Sequence, residues 1–133
     1  MKDAELKMVR EFGEKFGVKY ADKPALLSDY DSNGRFEFML EELNEFHVAS
    51  YREDLAGMAD ALVDLVYVAK GTALMLGLPW EELFVDVHRA NMQKKRGKTE
   101  RHLTVDCVKP AWWKGPETTR ILLAAGYNDV SSV

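Results

Sequence analysis

The chain is poor in cysteine, in basic excess and in long apolar runs, and each shortage removes a class of protein. Cys107 is its one cysteine. No intramolecular disulfide can form, and no cysteine-based zinc site can be built within one chain. Lysine and arginine total 18 against 22 aspartates and glutamates, a formal net charge of −4. That balance lacks the basic footprint needed to grip duplex nucleic acid. No apolar stretch is long enough to span a bilayer. The start, Met1-Lys2-Asp3-Ala4-Glu5, lacks the apolar core of a signal peptide. The expectation is a cytoplasmic protein with no membrane partner. There is no internal repeat and no low-complexity segment.

What is present is an ordinary globular composition, 47% apolar and 30% charged. Its 133 residues suit one domain spanning the chain. The periodicity is helical. Leu6, Val9, Phe12 and Phe16 predict a helix over about 3–16. Lys19 to Gly34, with Pro24, Ser28, Asp29, Asp31, Ser32 and Asn33, reads as a connection. A second helix is expected over about 35–50, burying Phe36, Leu40, Leu43 and Phe46/His47. A third, over about 52–76, is apolar all round from Met58 to Ala69 and therefore expected at the centre. Gly77 caps it. Pro79, Glu81 and Glu82 open a fourth helix running to about Lys95. The alternation of Leu103, Val105 and Cys107 suggests a β-ribbon or extended arm. Pro116 opens a short last helix closed by Gly126, and the tail to Val133 is expected to be loose. The fold class is all-α.

The chemistry lies in the carboxylates. Glu41, Glu42 and Glu45 occupy one helix, and their i,i+3 and i,i+4 spacings turn them the same way. Asp60 and Asp64 are four apart on the next helix. Acids on helices are usually a solvated face, and Glu53 and Asp54 fit that description at a helix start. Asp60 and Asp64 fit it less well, inside the most apolar helix and with no basic residue on it between Arg52 and Lys70. A buried unpaired carboxylate must be neutralised, paired or bound to metal. Mg²⁺ takes oxygen ligands and favours sites shared with phosphates. A di-iron bundle would need Glu-x-x-His pairs. His47, His88 and His102 instead follow Asn44, Val85 and Thr99 at that spacing.

Glu41-Glu42-x-x-Glu45 followed by an acidic pair resembles the MazG-like all-α nucleotide pyrophosphatase superfamily, which includes phosphoribosyl-ATP pyrophosphatases and dimeric dUTPases. Three further segments are similar to its phosphoribosyl-ATP pyrophosphohydrolase-like branch. They are Asp60-Ala61-Leu62-Val63-Asp64-Leu65-Val66-Tyr67-Val68, Gly71-Thr72-Ala73, and Val87-His88-Arg89-Ala90-Asn91-Met92-x-Lys94. Lys109-Pro110 and Trp112-Trp113 resemble its C-terminal arm. The likeness covers roughly residues 35–116. One departure stands out. The family pattern on the second acidic helix is Glu-x-x-Asp, but the residue three before Asp64 is Ala61, and the acid is at Asp60.

The resemblance implies a four-to-five-helix bundle with a short C-terminal arm, and cleavage of the α–β phosphoanhydride of an NTP or dNTP to monophosphate and pyrophosphate. It further implies Mg²⁺, with Mn²⁺ as an alternative ion, and a homodimer or homotetramer whose sites a second subunit completes. Glu42, Glu45, Asp64 and Asp60 are the expected metal ligands. Glu41 is a further ligand or the base for the attacking water. Asn91 and Lys94, with His88 and Lys95 beside them, are the expected nucleotide contacts. The bland alternatives are a basic helix end for the lysines and a structural hydrogen-bonding role for His88. Trp112 and Trp113 stack on a base or, more in keeping with tryptophan generally, pack the arm. Arg35 reaches phosphate or is solvated, and Lys109 and Lys114 are in a position to close over a ligand. Rival functions are dUTP or phosphoribosyl-ATP hydrolysis and a non-catalytic metal-binding helical interaction module.

Overall fold

The structure, a computed structural model, describes residues 2–101 and 103–128. The expected tail (129–133) and His102 lie outside the described residues. Helices α1 (Ala4–Phe16), α2 (Asp29–Tyr51), α3 (Leu55–Met75), α4 (Trp80–Met92) and α5 (Thr118–Ala124) are joined by a ribbon of β1 (Lys95–Arg96) and β2 (Cys107–Val108). The all-α class with a small β arm is what forms. The strands are antiparallel, pairing Lys95 with Val108 and Arg96 with Cys107. The alternating stretch from Leu103 therefore pairs only at its last two residues.

α2 and α3 make the main antiparallel pair, and α1 lies against α3. Leu6, Val9 and Leu74 form the buried core, flanked by Tyr20, Tyr67 and Trp80. Tyr20 crosses over Gly13, its hydroxyl donating to the Val9 carbonyl at 3.2 Å.

Two features of α2 correct the sequence reading. The helix starts at Asp29, not Arg35. Ser28 is its N-cap, accepting from the Asp31 amide at 3.1 Å. Asp29 and Asp31 then suit the positive end of the helix dipole, so the polar run read as a connection is the first turn and a half. The buried face is also different. Phe36, Leu40 and Leu43 are 60%, 44% and 51% exposed, whereas Glu42 and Ala49 are buried. The inward stripe is Arg35, Met39, Glu42, Phe46 and Ala49, at spacings of four and three.

Arg35 explains part of that stripe. Its Nε donates to Thr72 Oγ1 at 3.0 Å and a terminal nitrogen donates to the Val68 carbonyl at 2.9 Å. It is not free in solvent; it fastens α2 to α3. Gly71 leaves room for it, because a Cβ there would sit 2.9 Å from the guanidinium. Arg35→Ala should lower stability by about 2–3 kcal/mol, the scale of lost charge-assisted bonds. Thermal denaturation checks this, and an unchanged melting temperature would refute it.

α3 begins at Asp54, whose carboxylate accepts from the Gly57 amide at 3.0 Å. It contacts both α1 and α2 but is not enclosed: Leu62, Val63 and Val66 are 47%, 65% and 45% exposed. Gly77 lies just beyond its end at φ 65°, with its amide on the Leu74 carbonyl and the Leu78 amide on the Ala73 carbonyl, both at 3.0 Å. This paired closure of the last turn requires a left-handed residue.

α4 ends at Met92, short of the expected Lys95, so Lys94 lies in the link and Lys95 in β1. The chain turns into the ribbon there because Trp113 returns to seal the helix end. Its indole N–H donates to the Ala90 carbonyl at 2.6 Å. Arg89 donates to Asp86 at 2.8 Å and to the Gly115 carbonyl at 3.1 Å, and Asp86 also accepts the Glu117 amide at 2.6 Å. These bonds hold the arm's far end and α5 on α4.

Candidate metal centre

The α2–α3 pair brings three carboxylates together. One ligand oxygen from each of Glu42, Glu45 and Asp64 lies within 4.8 Å of the other two. Glu42 and Glu45 face the same way because they are three apart on α2, and antiparallel α3 presents Asp64 opposite them.

The three differ in environment. Glu45 and Asp64 are exposed, whereas Glu42 is 7% exposed. Its Oε2 is buried and has no hydrogen-bond partner among the described residues. Burial pushes the Glu42 carboxyl above its ordinary value. The Glu45 carboxylate against it adds to the rise, as do the charges of Asp64 and Glu41. An orphaned oxygen on a buried carboxylate clustered with two others is costly, and such a group in a native fold calls for an explanation such as an ion.

A divalent cation fits this donor set. The ligands are all oxygen, the choice of Mg²⁺ and similar hard ions. Two oxygens on one Mg²⁺ lie at most about 4.2 Å apart, so modest rotation of the exposed Glu45 and Asp64 side chains would close the set. The buried Glu42 carboxylate, with an oxygen left unpartnered, is the member of the set in need of a partner. Among the described residues no other group of three metal-ligating side chains comes together.

The sequence reading placed the burden on Asp60 and Asp64 as buried acids. The structure moves it: both are exposed, and the buried carboxylate is Glu42. Asp60 is not in the triple. The residue three before Asp64, Ala61, is buried at 1% exposure, so the position facing inward on α3 carries a methyl group. Glu41 is exposed beside the triple and acts on it through its charge.

The remaining candidates lie elsewhere. His88 and Asn91 are exposed on α4, which rests on α5. Lys94 is half-buried with its ammonium 5.5 Å from the Trp113 ring centroid, and Lys95 is exposed on β1. Trp113 packs the arm, while Trp112 is 59% exposed. The structural role of Arg35 was missed in the sequence. The small Gly71 opposite it, at i+3 from Val68, was the available signal.

An all-helical chain that brings three carboxylates together from two antiparallel helices, one of them buried, presents the donor set of a divalent-cation site. The family model for phosphoribosyl-ATP pyrophosphohydrolase matches residues 9–91. The chain belongs to that family and is a pyrophosphohydrolase, a hydrolase of acid anhydrides. The match begins earlier than the motif likeness, inside α1, and stops before the arm. Comparison with curated proteins gives no match. The family is typically divalent-metal dependent, in keeping with the acidic triple.

Proposed function

We propose that the protein is a Mg²⁺-dependent nucleoside triphosphate pyrophosphohydrolase, cleaving the α–β phosphoanhydride of an NTP or dNTP to monophosphate and pyrophosphate. The observation that carries this is the orphaned Oε2 of Glu42 inside a three-carboxylate cluster, in a chain of a pyrophosphohydrolase family.

Glu42, Glu45 and Asp64 hold the ion, with Mn²⁺ as its substitute. When bound, the ion neutralises phosphate oxygens and makes a water acidic enough to attack phosphorus. Glu42 fixes the position, because its side chain is locked between the helices. Glu45 and Asp64 adjust from the exposed side. Glu41 accepts the proton of the attacking water or joins the ligands, and Asp60, one turn before Asp64, is a further carboxylate for the ion. Asn91 and Lys94, with His88 and Lys95, supply hydrogen bonds and positive charge to the nucleotide. They stand on α4 and the arm rather than on the α2–α3 pair, which favours a homodimer or homotetramer that brings the two parts together. The exposed apolar residues of α1 and α3, among them Met8, Phe12, Val63 and Val66, form a patch of the kind that subunits cover.

A panel of NTPs and dNTPs with Mg²⁺, followed for pyrophosphate against orthophosphate, tests the reading. Pyrophosphate should appear at the rate of monophosphate. Orthophosphate as the first product would sink it. The family match supports a second reading on the same site, with phosphoribosyl-ATP as substrate, and dUTP is a third. Both belong in the panel, and the highest kcat/KM identifies the substrate.

A further inference from the structure

The chain's charge is strongly divided. Between Lys94 and Lys114 there are seven lysines and arginines and two acids, which leaves 11 basic against 20 acidic residues for the rest of the molecule. One of the arm's two acids, Asp106, is engaged by Arg101. Among the described residues Lys94, Lys95, Arg96, Lys98, Lys109 and Lys114 form no ion pair.

Two of these cations converge. The Lys94 ammonium is 5.5 Å from the Trp113 ring centroid and the Lys109 ammonium is 4.7 Å from it. They flank the same, open end of the antiparallel ribbon, Lys94 just before β1 and Lys109 just after β2, next to the Lys95–Val108 pair. The ring they share is fixed, since its indole N–H is bound to the Ala90 carbonyl at 2.6 Å and the following Gly115 carbonyl is bound by Arg89 at 3.1 Å. A single lysine over a tryptophan is a favourable surface contact. Two ammoniums on one rigid ring, with more unpaired positive charge beside them, concentrate positive potential that a multivalent anion would neutralise.

We propose that the arm carries an anion site of its own, formed by Lys94 and Lys109 on Trp113, that takes a phosphoanhydride: the polyphosphate tail of a nucleotide or released pyrophosphate. The phosphoanhydride identity rests on the proposed hydrolysis, whereas the affinity for a multivalent anion rests on the arm alone. Lys109 is thereby a second binding cation, and Trp113 is the platform that spaces the pair.

Isothermal titration of inorganic pyrophosphate into the protein in EDTA tests this, because without metal the carboxylate triple repels the ligand. The wild type and Glu42→Gln should bind alike. The double variant Lys94→Gln/Lys109→Gln should lose about tenfold or more in affinity, on the scale of one or two charge-assisted bonds. Lys109→Arg should retain binding, and Lys7→Gln/Lys15→Gln on α1 should match the wild type at equal net charge. Equal affinity in the double variant would overturn the proposal, as would loss in the α1 control. No binding of pyrophosphate together with binding of a single-stranded oligonucleotide would also overturn it, making the arm a nucleic-acid contact. A nucleoside triphosphate titrated in parallel separates the two sources: tighter binding than pyrophosphate marks the substrate's tail as the natural occupant. If Glu42→Gln binds in EDTA but no variant hydrolyses any nucleotide, the proposed function fails and the anion site stands.

Discussion

Glu42→Gln should reduce hydrolysis by about 100-fold or more, the cost of removing a preorganised electrostatic group from a phosphate-cleaving site. Glu42 is the candidate ligand buried between the helices, and its loss leaves the two exposed carboxylates of Glu45 and Asp64. The same substitution should raise the stability of the metal-free protein, because it removes a buried charge facing Glu45 and Asp64. The pH dependence has a definite sign. The folded protein holds the Glu42 proton more tightly than the unfolded chain, whose ordinary value is 4.5. Between that value and the raised folded one the folded state holds more of this proton than the unfolded chain does, so stability falls as pH rises through the window and levels off above it. Metal-free wild type should lose melting temperature across that window, and Glu42→Gln should show a flatter profile. A divalent cation at 100 times its dissociation constant should restore about 2.7 kcal/mol to the wild type and much less to the variant. Full activity in Glu42→Gln, or identical pH profiles, would remove Glu42 from the centre of the site.

Gly77→Ala should destabilise the protein by about 2–4 kcal/mol without touching the carboxylates. The residue has φ 65°, and an added Cβ would stand 2.4 Å from the Lys23 carbonyl oxygen. A left-handed conformation alone costs an L-residue about 1–2 kcal/mol. The clash with backbone adds to it, since the Lys23 segment is itself fixed by the Ala25 amide bonding to the Leu76 carbonyl at 3.0 Å. The segment before α2 and the end of α3 would have to separate. Chemical denaturation measures the loss, and a change below about 0.5 kcal/mol, the scale of an ordinary surface substitution, would show that the turn tolerates a side chain. Residual kcat in the folded fraction should be near wild type, which distinguishes this variant from Glu42→Gln.

The order and type of the helices were legible because the local signals agree. Gly77 and Gly126 end helices in the left-handed region, and Pro79 and Pro116 precede new ones, whereas the cap at Ser28 was hidden in a polar run. Where the reading failed, polarity misled it. On α2 the inward stripe carries Arg35 and Glu42, a structural cation and a candidate ligand, while Phe36, Leu40 and Leu43 face out. A rule that sends apolar residues inward selects the wrong side of a helix whose buried face holds polar groups and whose outer face is left apolar.

The amino-acid order by itself determined the all-α class, the number and order of the helices and the placing of Glu42 beside Glu45, because periodicity, dipole and i,i+3 geometry are properties of a single segment; the start of α2 and the end of α4 were not among them. Only the tertiary structure decided which carboxylate is buried, that Asp64 rather than Asp60 meets the glutamates, and that Ala61 is the inward residue of α3. Those outcomes depend on the rotation of one helix about its axis relative to another. That rotation is set by contacts such as Arg35 on Val68 and Thr72, between residues far apart in sequence, and no spacing within α2 or α3 alone encodes it.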